Sequence, residues 1–145
     1  VPLLDLIKII EKEKALFEPD VIFTHHLGDL NIDHRKTFEA VLTAIRPVKE
    51  EKVKMLISFE TMSGTEWVAS NDLRKFSPNF FIELSNEEIS TKISAINSYY
   101  FEKRDFPHPR SPEAIKNRAM MWGITIGKKY AEPFQIIRSI SDYVS

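Results

Sequence analysis

Apolar positions change their spacing along the chain, and each change predicts a structural element. Over residues 3–17 they recur at helical spacing, which predicts an amphipathic helix that Pro19 ends. A β-branched and aromatic run over residues 20–24 then predicts a short buried strand. A second helical pattern ends at Pro47 and places four apolar residues on one face, namely Phe38, Val41, Leu42 and Ile45.

Three more apolar runs predict strands over residues 53–59, 80–84 and 134–137. Strands that alternate with amphipathic helices are typical of α/β proteins with a mostly parallel sheet. We therefore expect the strands at 21–24 and 53–59 to be parallel, with the loops that follow them at the same edge. Because the chain opens almost inside a helix, we also expect an α/β domain that lacks its first strand and helix.

Two further helices are predicted by the residues that cap them. Ser85 and Glu88 have the spacing of a capping box, and the helix that follows is expected to end near Arg104, with Tyr100 on its buried face. An N-cap and a first-turn proline at residues 111–112 begin the next helix. That helix is expected to break at its glycines, Gly123 and Gly127.

Composition narrows the classes of function. The chain has 145 residues and a net charge of −1 without any large block of like charge, so it shows no electrostatic footprint for nucleic acid or anionic lipid. No apolar run approaches the ~18 residues that a membrane span requires, and the amino terminus lacks signal-peptide features. We therefore expect a cytoplasmic protein with a small-molecule substrate, no nucleic-acid partner and no membrane span. Homo-oligomerisation stays open.

Residues 24–35 hold three of the four histidines and two carboxylates. They follow a predicted buried strand, where open α/β sheets bind ligands. Because the chain has no cysteine, a metal would have to be held by histidine and carboxylate side chains. The available donors are His25, His26, Asp29, Asp33 and His34. The alternative is a polar loop whose Asp and Asn side chains only satisfy turns and caps.

The two adjacent histidines would point to opposite sides if the strand continues through them. We expect His26 to line the cleft and His25 to pack beneath the sheet. Asn31 or Asp33 can cap the following helix, which places His34 in or just before its first turn.

These residues occur together with other short segments that form a recognisable combination. The segments are Pro19–His26, Gly28–Arg35, Phe59–Glu60, Thr65–Trp67, Pro78–Asn79, Phe106–Ser111, Gly123 and Ala131–Phe134. With them the sequence resembles the PIG-L/LmbE-like deacetylases, in particular the bacterial sugar-deacetylase branch, over nearly the whole chain.

The resemblance implies a Rossmann-like three-layer α/β fold and zinc-dependent hydrolysis of an N-acetyl group on an N-acetylglucosamine-like sugar. It also implies that His34, in the pair Asp33-His34, is a zinc ligand. The family takes its other ligands and its general base from a His-Pro-Asp-Asp motif, which this sequence does not contain. A second departure is Asn31, where many relatives carry a histidine.

The segment between two predicted helices around residues 106–111 adds a further candidate group. Its prolines make the backbone rigid, and a guanidinium there can bind a sugar oxygen or an oxyanion. The alternative is a structural loop in which Arg110 pairs with Glu102 or Glu113. With the resemblance, the predicted site comprises His34 as metal ligand; Asp33, His108 and Arg110 as catalytic residues; and His26, Asp29, Asn31, Glu66 and Trp67 as substrate-binding residues.

We therefore interpret residues 1–145 as a single, N-terminally incomplete LmbE-like deacetylase domain, part of a zinc-dependent sugar N-deacetylase. We expect the chain alone to bind zinc weakly and to release no acetate, and a longer form with the missing motif to do both. The rival is a non-catalytic module that binds a carbohydrate or a partner chain. A metal-dependent phosphoesterase is a weaker alternative, because phosphate sites usually carry more basic residues or glycine-rich loops.

Overall fold

The computed structural model describes residues 1–142, in which the helices and strands follow the predicted order. In chain order the elements are α1 (Leu3–Phe17), β1 (Val21–Thr24), α2 (Ile32–Ala44), β2 (Met55–Phe59), β3 (Phe80–Glu83), α3 (Asn86–Asn97), α4 (Pro112–Thr125) and β4 (Ala131–Ser139). They form two compact units: residues 1–77 with residues 135–142, and residues 78–134. None of the helices within residues 1–142 is long and apolar enough to cross a membrane.

The first unit contains the predicted parallel strand pair. β1 and β2 run parallel, in a register that begins at Val21 opposite Met55 and ends at Thr24 opposite Ser58. This confirms the predicted strand orientation. The core between helix and sheet is built from buried apolar residues of α2 and the β2 region, namely Val41, Ile45, Val53 and Leu56.

Helix α2 begins where the sequence predicted a cap. The Asn31 side chain accepts a hydrogen bond from the Asp33 backbone N–H, so Asn31, rather than Asp33, is the N-cap. Lys14 of α1 donates to the Ala44 carbonyl at 2.7 Å and pairs with Glu51. These contacts hold α1 against the end of α2.

The second unit pairs β3 antiparallel with residues 131–134 of β4. The capping box of Ser85 and Glu88 is present, which confirms the predicted start of α3. The predicted end near Arg104 was wrong, because α3 stops at Asn97. Tyr100 is 83% exposed, so no apolar face is buried there to prolong the helix.

Helix α4 begins at the predicted cap, Ser111, whose side chain accepts from the Ala114 backbone N–H. The predicted break at Gly123 was wrong, because the helix continues to Thr125. Gly123 instead permits a close approach, since a Cβ there would lie 2.7 Å from the Lys128 carbonyl oxygen. Gly127, at φ +69°, follows the end of the helix in the left-handed conformation.

The strands form a mixed sheet in the order β1-β2-β4-β3. β1 and β2 are parallel, whereas β3 and β4 are antiparallel. The α/β class is thereby confirmed. The three-layer arrangement that the resemblance implies and the mostly parallel sheet that the sequence pattern predicts stay predictions.

Candidate metal centre

The loop from His25 to Asn31 joins β1 to α2 in the first unit, and two backbone contacts hold it. Gly28 lies so close to the neighbouring segment that a Cβ would be 1.9 Å from the Arg74 carbonyl oxygen. Arg35, in the first turns of α2, donates from Nη1 to the carbonyl oxygens of Asp29 and Leu30, each at 2.7 Å. The loop is therefore fixed from both sides before any ligand binds.

A buried carboxylate is paired with a histidine in this loop. Asp29 is 1% exposed, and its Oδ2 lies 2.8 Å from Nδ1 of His34. Its Oδ1 accepts the Asn31 backbone N–H at 2.8 Å. Both oxygens of the Asp29 carboxylate are thus engaged, and one of them orients the His34 ring.

His25 joins this pair by ring stacking. Its imidazole lies parallel to that of His34, with 3.8 Å between the ring centroids and 6° between the planes. The hydroxyl oxygen Oγ1 of Thr61, in the loop that follows β2, lies 3.4 Å from Nδ1 of His25. Burial, and next the neighbouring His34, lower the pKa of His25 below its ordinary value, so the neutral, electron-pair-donating form is favoured.

His26 points the other way and is 4% exposed. Its Nε2 donates to the Arg74 carbonyl oxygen at 2.8 Å, which leaves Nδ1 to accept from the Ser58 hydroxyl at 3.0 Å. The predicted facing of the two histidines was therefore wrong: His25 lies with His34, and His26 is buried. Strand alternation failed here because β1 ends at Thr24, before either histidine.

Three residues of this loop could supply metal ligands. One donor atom each of His25, Asp29 and His34 lie within 4.8 Å of one another. Two imidazoles and a carboxylate are a donor set that suits catalytic zinc. Donor electron pairs lie in the ring planes, so two parallel stacked rings cannot both point at one ion about 2.0–2.1 Å away. The donors fit zinc by chemistry, and one ring would have to rotate to bind it.

The other predicted residues of this segment lie at the start of α2. Asn31 places its Nδ2 3.3 Å from Nε2 of His34 while its Oδ1 caps the helix. Asp33 is exposed in the first turn, and its backbone carbonyl accepts from the Thr37 hydroxyl. The catalytic role of Asp33 stays a prediction.

The loop that follows β2 packs directly against the Asp29 carboxylate, which confirms that the two loops share one edge. A Cβ on Gly64 would lie 2.5 Å from Oδ1 and 2.9 Å from Oδ2 of Asp29. Glu66 accepts from the backbone N–H groups of Ser63 and Gly64, so its carboxylate shapes this turn. Trp67 is 53% exposed. The substrate-binding roles of Glu66 and Trp67 stay predictions.

The second unit holds the other two predicted residues. Arg110 pairs with Glu102, one of the two partners that the sequence suggested. Nδ1 of His108 accepts the Arg110 backbone N–H at 3.1 Å. Both residues thus stabilise their own loop, and their predicted catalytic roles are untested.

No family model and no curated protein sequence matches the chain. Solved structures do match its fold. N,N′-diacetylchitobiose deacetylase from Pyrococcus horikoshii is 19% identical, with a TM-score of 0.62, and the match covers 94% of this chain and 51% of the deacetylase. The A40926 pseudoaglycone deacetylase Dbv21 is 20% identical, with a TM-score of 0.68, and the match covers 97% of this chain and 60% of Dbv21.

A third structural neighbour has a different activity. GalB, the 4-carboxy-2-hydroxymuconate hydratase from Pseudomonas putida KT2440, is 16% identical, with a TM-score of 0.68, and the match covers 97% of this chain and 62% of GalB. The chain thus spans about half to three fifths of the length of these proteins. At these identities the comparisons establish that the chain has the fold of these deacetylases and of GalB.

Proposed function

We propose that this chain is part of a metal-dependent N-deacetylase that removes the acetyl group from an N-acetylated amino sugar or sugar conjugate. The observation that carries the proposal is the cluster of His25, Asp29 and His34 at the carboxyl ends of β1 and β2. The ends of parallel strands are where open α/β sheets place their ligands. Two structural neighbours, a chitobiose deacetylase and a glycopeptide pseudoaglycone deacetylase, support the reaction and the substrate class.

Zinc is the metal that this donor set suits best, since imidazole and carboxylate are its usual ligands when cysteine is absent. His34 and His25 would hold it through ring nitrogens. A bound zinc polarises a carbonyl group and lowers the pKa of bound water. The exposed ring of Trp67 offers an apolar face to a sugar, and Asp33 lies in the turn that carries His34.

The hydratase neighbour supplies a second candidate function. GalB matches this fold with the same TM-score as Dbv21, so the fold alone does not separate a hydratase from a deacetylase. Both reactions use an activated water. A non-catalytic carbohydrate- or partner-binding module is the third candidate, because stacked imidazoles are not arranged as ligands.

Acetate release from N,N′-diacetylchitobiose, measured with and without added zinc, tests the proposal. We expect zinc-dependent release by the longest natural form that contains residues 1–145, and none by the 145-residue chain alone. His34→Ala should abolish it. Glu39→Ala, an exposed change on the same helix, should not.

Three results would contradict this proposal. Turnover that does not depend on zinc would refute the metal centre. Turnover by the longest form that survives His34→Ala would refute the assignment of His34. Binding of chitobiose without release of acetate would favour the module, and hydration of 4-carboxy-2-hydroxymuconate would favour the hydratase.

A further inference from the structure

The amide of Asn31 has a fixed orientation because it caps α2. The backbone N–H of Asp33 is a donor, so the Asn31 atom that it contacts at 2.9 Å must be the carbonyl oxygen Oδ1. The other end of the amide, Nδ2, therefore faces Nε2 of His34 at 3.3 Å. An amide nitrogen carries hydrogens and can only donate.

This orientation determines where the hydrogen of the neutral His34 ring lies. Because Nδ2 of Asn31 donates, Nε2 of His34 must be the ring nitrogen that carries the electron pair. The ring hydrogen then lies on Nδ1, which is 2.8 Å from Oδ2 of the Asp29 carboxylate. Both contacts favour the same tautomer.

Packing holds the Asp29 carboxylate in place from a separate part of the chain. Its Oδ1 is engaged by the Asn31 backbone N–H, and its side chain is fully buried. The space on its other side is filled by Gly64, where an added methyl group would come within 2.5 Å of Oδ1. A side chain at residue 64 would therefore push the Asp29 carboxylate out of this position.

We infer that Asn31, Asp29 and Gly64 are positioning residues that hold His34 as the Nδ1–H tautomer, with the electron pair on Nε2. A metal that binds Nε2 would replace the Asn31 amide as the partner of that electron pair. Asp29 then acts on the metal site through His34, because its Oδ2 accepts the Nδ1–H of that ring. The use of Nε2 by a metal rests on the proposed function. The tautomer does not, so it can be tested in the metal-free chain.

Nitrogen-15 NMR of the imidazole rings in the metal-free chain tests the inference, because protonated and bare ring nitrogens have separate shifts. At about pH 8, where an ordinary histidine is neutral, we expect His34 to be predominantly Nδ1–H. Asp29→Ala and Gly64→Ala should shift the population toward Nε2–H. Both should also weaken zinc binding by roughly 10- to 100-fold, the usual cost of removing the partner of a ligand.

Two variants separate positioning from simple loss of stability. Asn31→Ser keeps a side-chain acceptor for the helix cap and removes the amide donor, so it should alter the tautomer ratio while α2 stays folded. Gly127→Ala adds the same methyl group as Gly64→Ala at a left-handed position with no atom within 4 Å, so it should lower stability without altering His34.

The unsubstituted chain alone is sufficient to overturn the inference. A predominantly Nε2–H ring in it would do so, even if no variant folds. An unchanged ratio in folded Asp29→Ala would equally refute the role of Asp29. If the tautomer shifts occur as expected but no form of the protein releases acetate, the inference stands and the deacetylase proposal is refuted.

Discussion

The His34 loop (His25–Asn31 with the start of α2) and the proline-rich loop at residues 106–111 were both predicted to carry chemistry, and they are held by different contacts. In the first, the ring of His34 bonds to a buried carboxylate and stacks on a second imidazole. In the second, the His108 ring accepts a hydrogen bond from the backbone two residues on.

This difference separates two uses of a histidine. A ring whose Nδ1–H is held by a carboxylate keeps an electron pair on its other nitrogen for a ligand. Nδ1 of His108 uses its electron pair to accept a backbone N–H of its own turn, whereas Nε2 of His34 faces an exposed side-chain amide that a metal could displace. We therefore expect metal binding to depend on the His34 loop, and the proline-rich loop to contribute first to the stability of its own unit.

The largest expected effect is on zinc affinity. His34→Ala should weaken binding by more than the roughly 10- to 100-fold that losing a ligand's partner costs, because it removes a ligand itself. His108→Ala should leave zinc affinity unchanged, because Nδ1 of His108 accepts the Arg110 backbone N–H. Isothermal titration calorimetry with zinc measures both affinities. Equal losses of affinity in the two variants would show that the two loops do not differ in metal binding.

The next effect concerns the helix caps of the two loops. Ser111 is fully buried and caps α4, so Ser111→Ala should lower the free energy of unfolding by about 1–2 kcal/mol without changing zinc affinity. Asn31→Ala should cost about 1 kcal/mol and should also change zinc affinity, because the Asn31 amide contacts Nε2 of His34. Urea unfolding with zinc titration separates the two caps, and a zinc effect of Ser111→Ala would contradict the assignment.

The histidines of the first unit add a dependence of stability on pH. Burial lowers the pKa of both His25 and His26, so the unfolded chain binds more protons just below about pH 6.5. The free energy of unfolding should therefore fall as the pH drops below about 6.5. It should stop falling once the pH is below the lowered pKa values of the two histidines. Between about pH 7.5 and about pH 5, the His25→Asn variant should lose less free energy of unfolding than the unsubstituted chain, as measured by urea unfolding. An identical loss would show that His25 does not contribute.

The smallest effect should come from the ion pair of the proline-rich loop. Glu102 is more than half exposed, so Glu102→Gln should change the free energy of unfolding by only about 0–1 kcal/mol. If Arg110 also binds substrate in the active form, Arg110→Lys should raise KM while Glu102→Gln does not. A large destabilisation by Glu102→Gln would mean that the pair organises the loop more strongly than its exposure indicates.

Local signals in the sequence were enough to predict most elements and their starts. Caps depend on hydrogen bonds within four residues, so Ser85 and Ser111 could be recognised from spacing alone, and the cap of α2 could be narrowed to Asn31 or Asp33. The parallel pairing of β1 and β2 followed from their alternation with helices. The position of the donors after β1 followed from the same pattern.

Only the tertiary structure decided which donors meet. His25 lies with His34, and His26 is buried, because the strand ends at Thr24 and the loop takes its course from contacts with Arg74, 48 positions beyond His26. The packing of Asp29 against Gly64 likewise joins two loops that are remote in sequence. Spacing along a chain determines local hydrogen bonds, whereas the direction of a side chain in a loop depends on distant packing that no local pattern encodes.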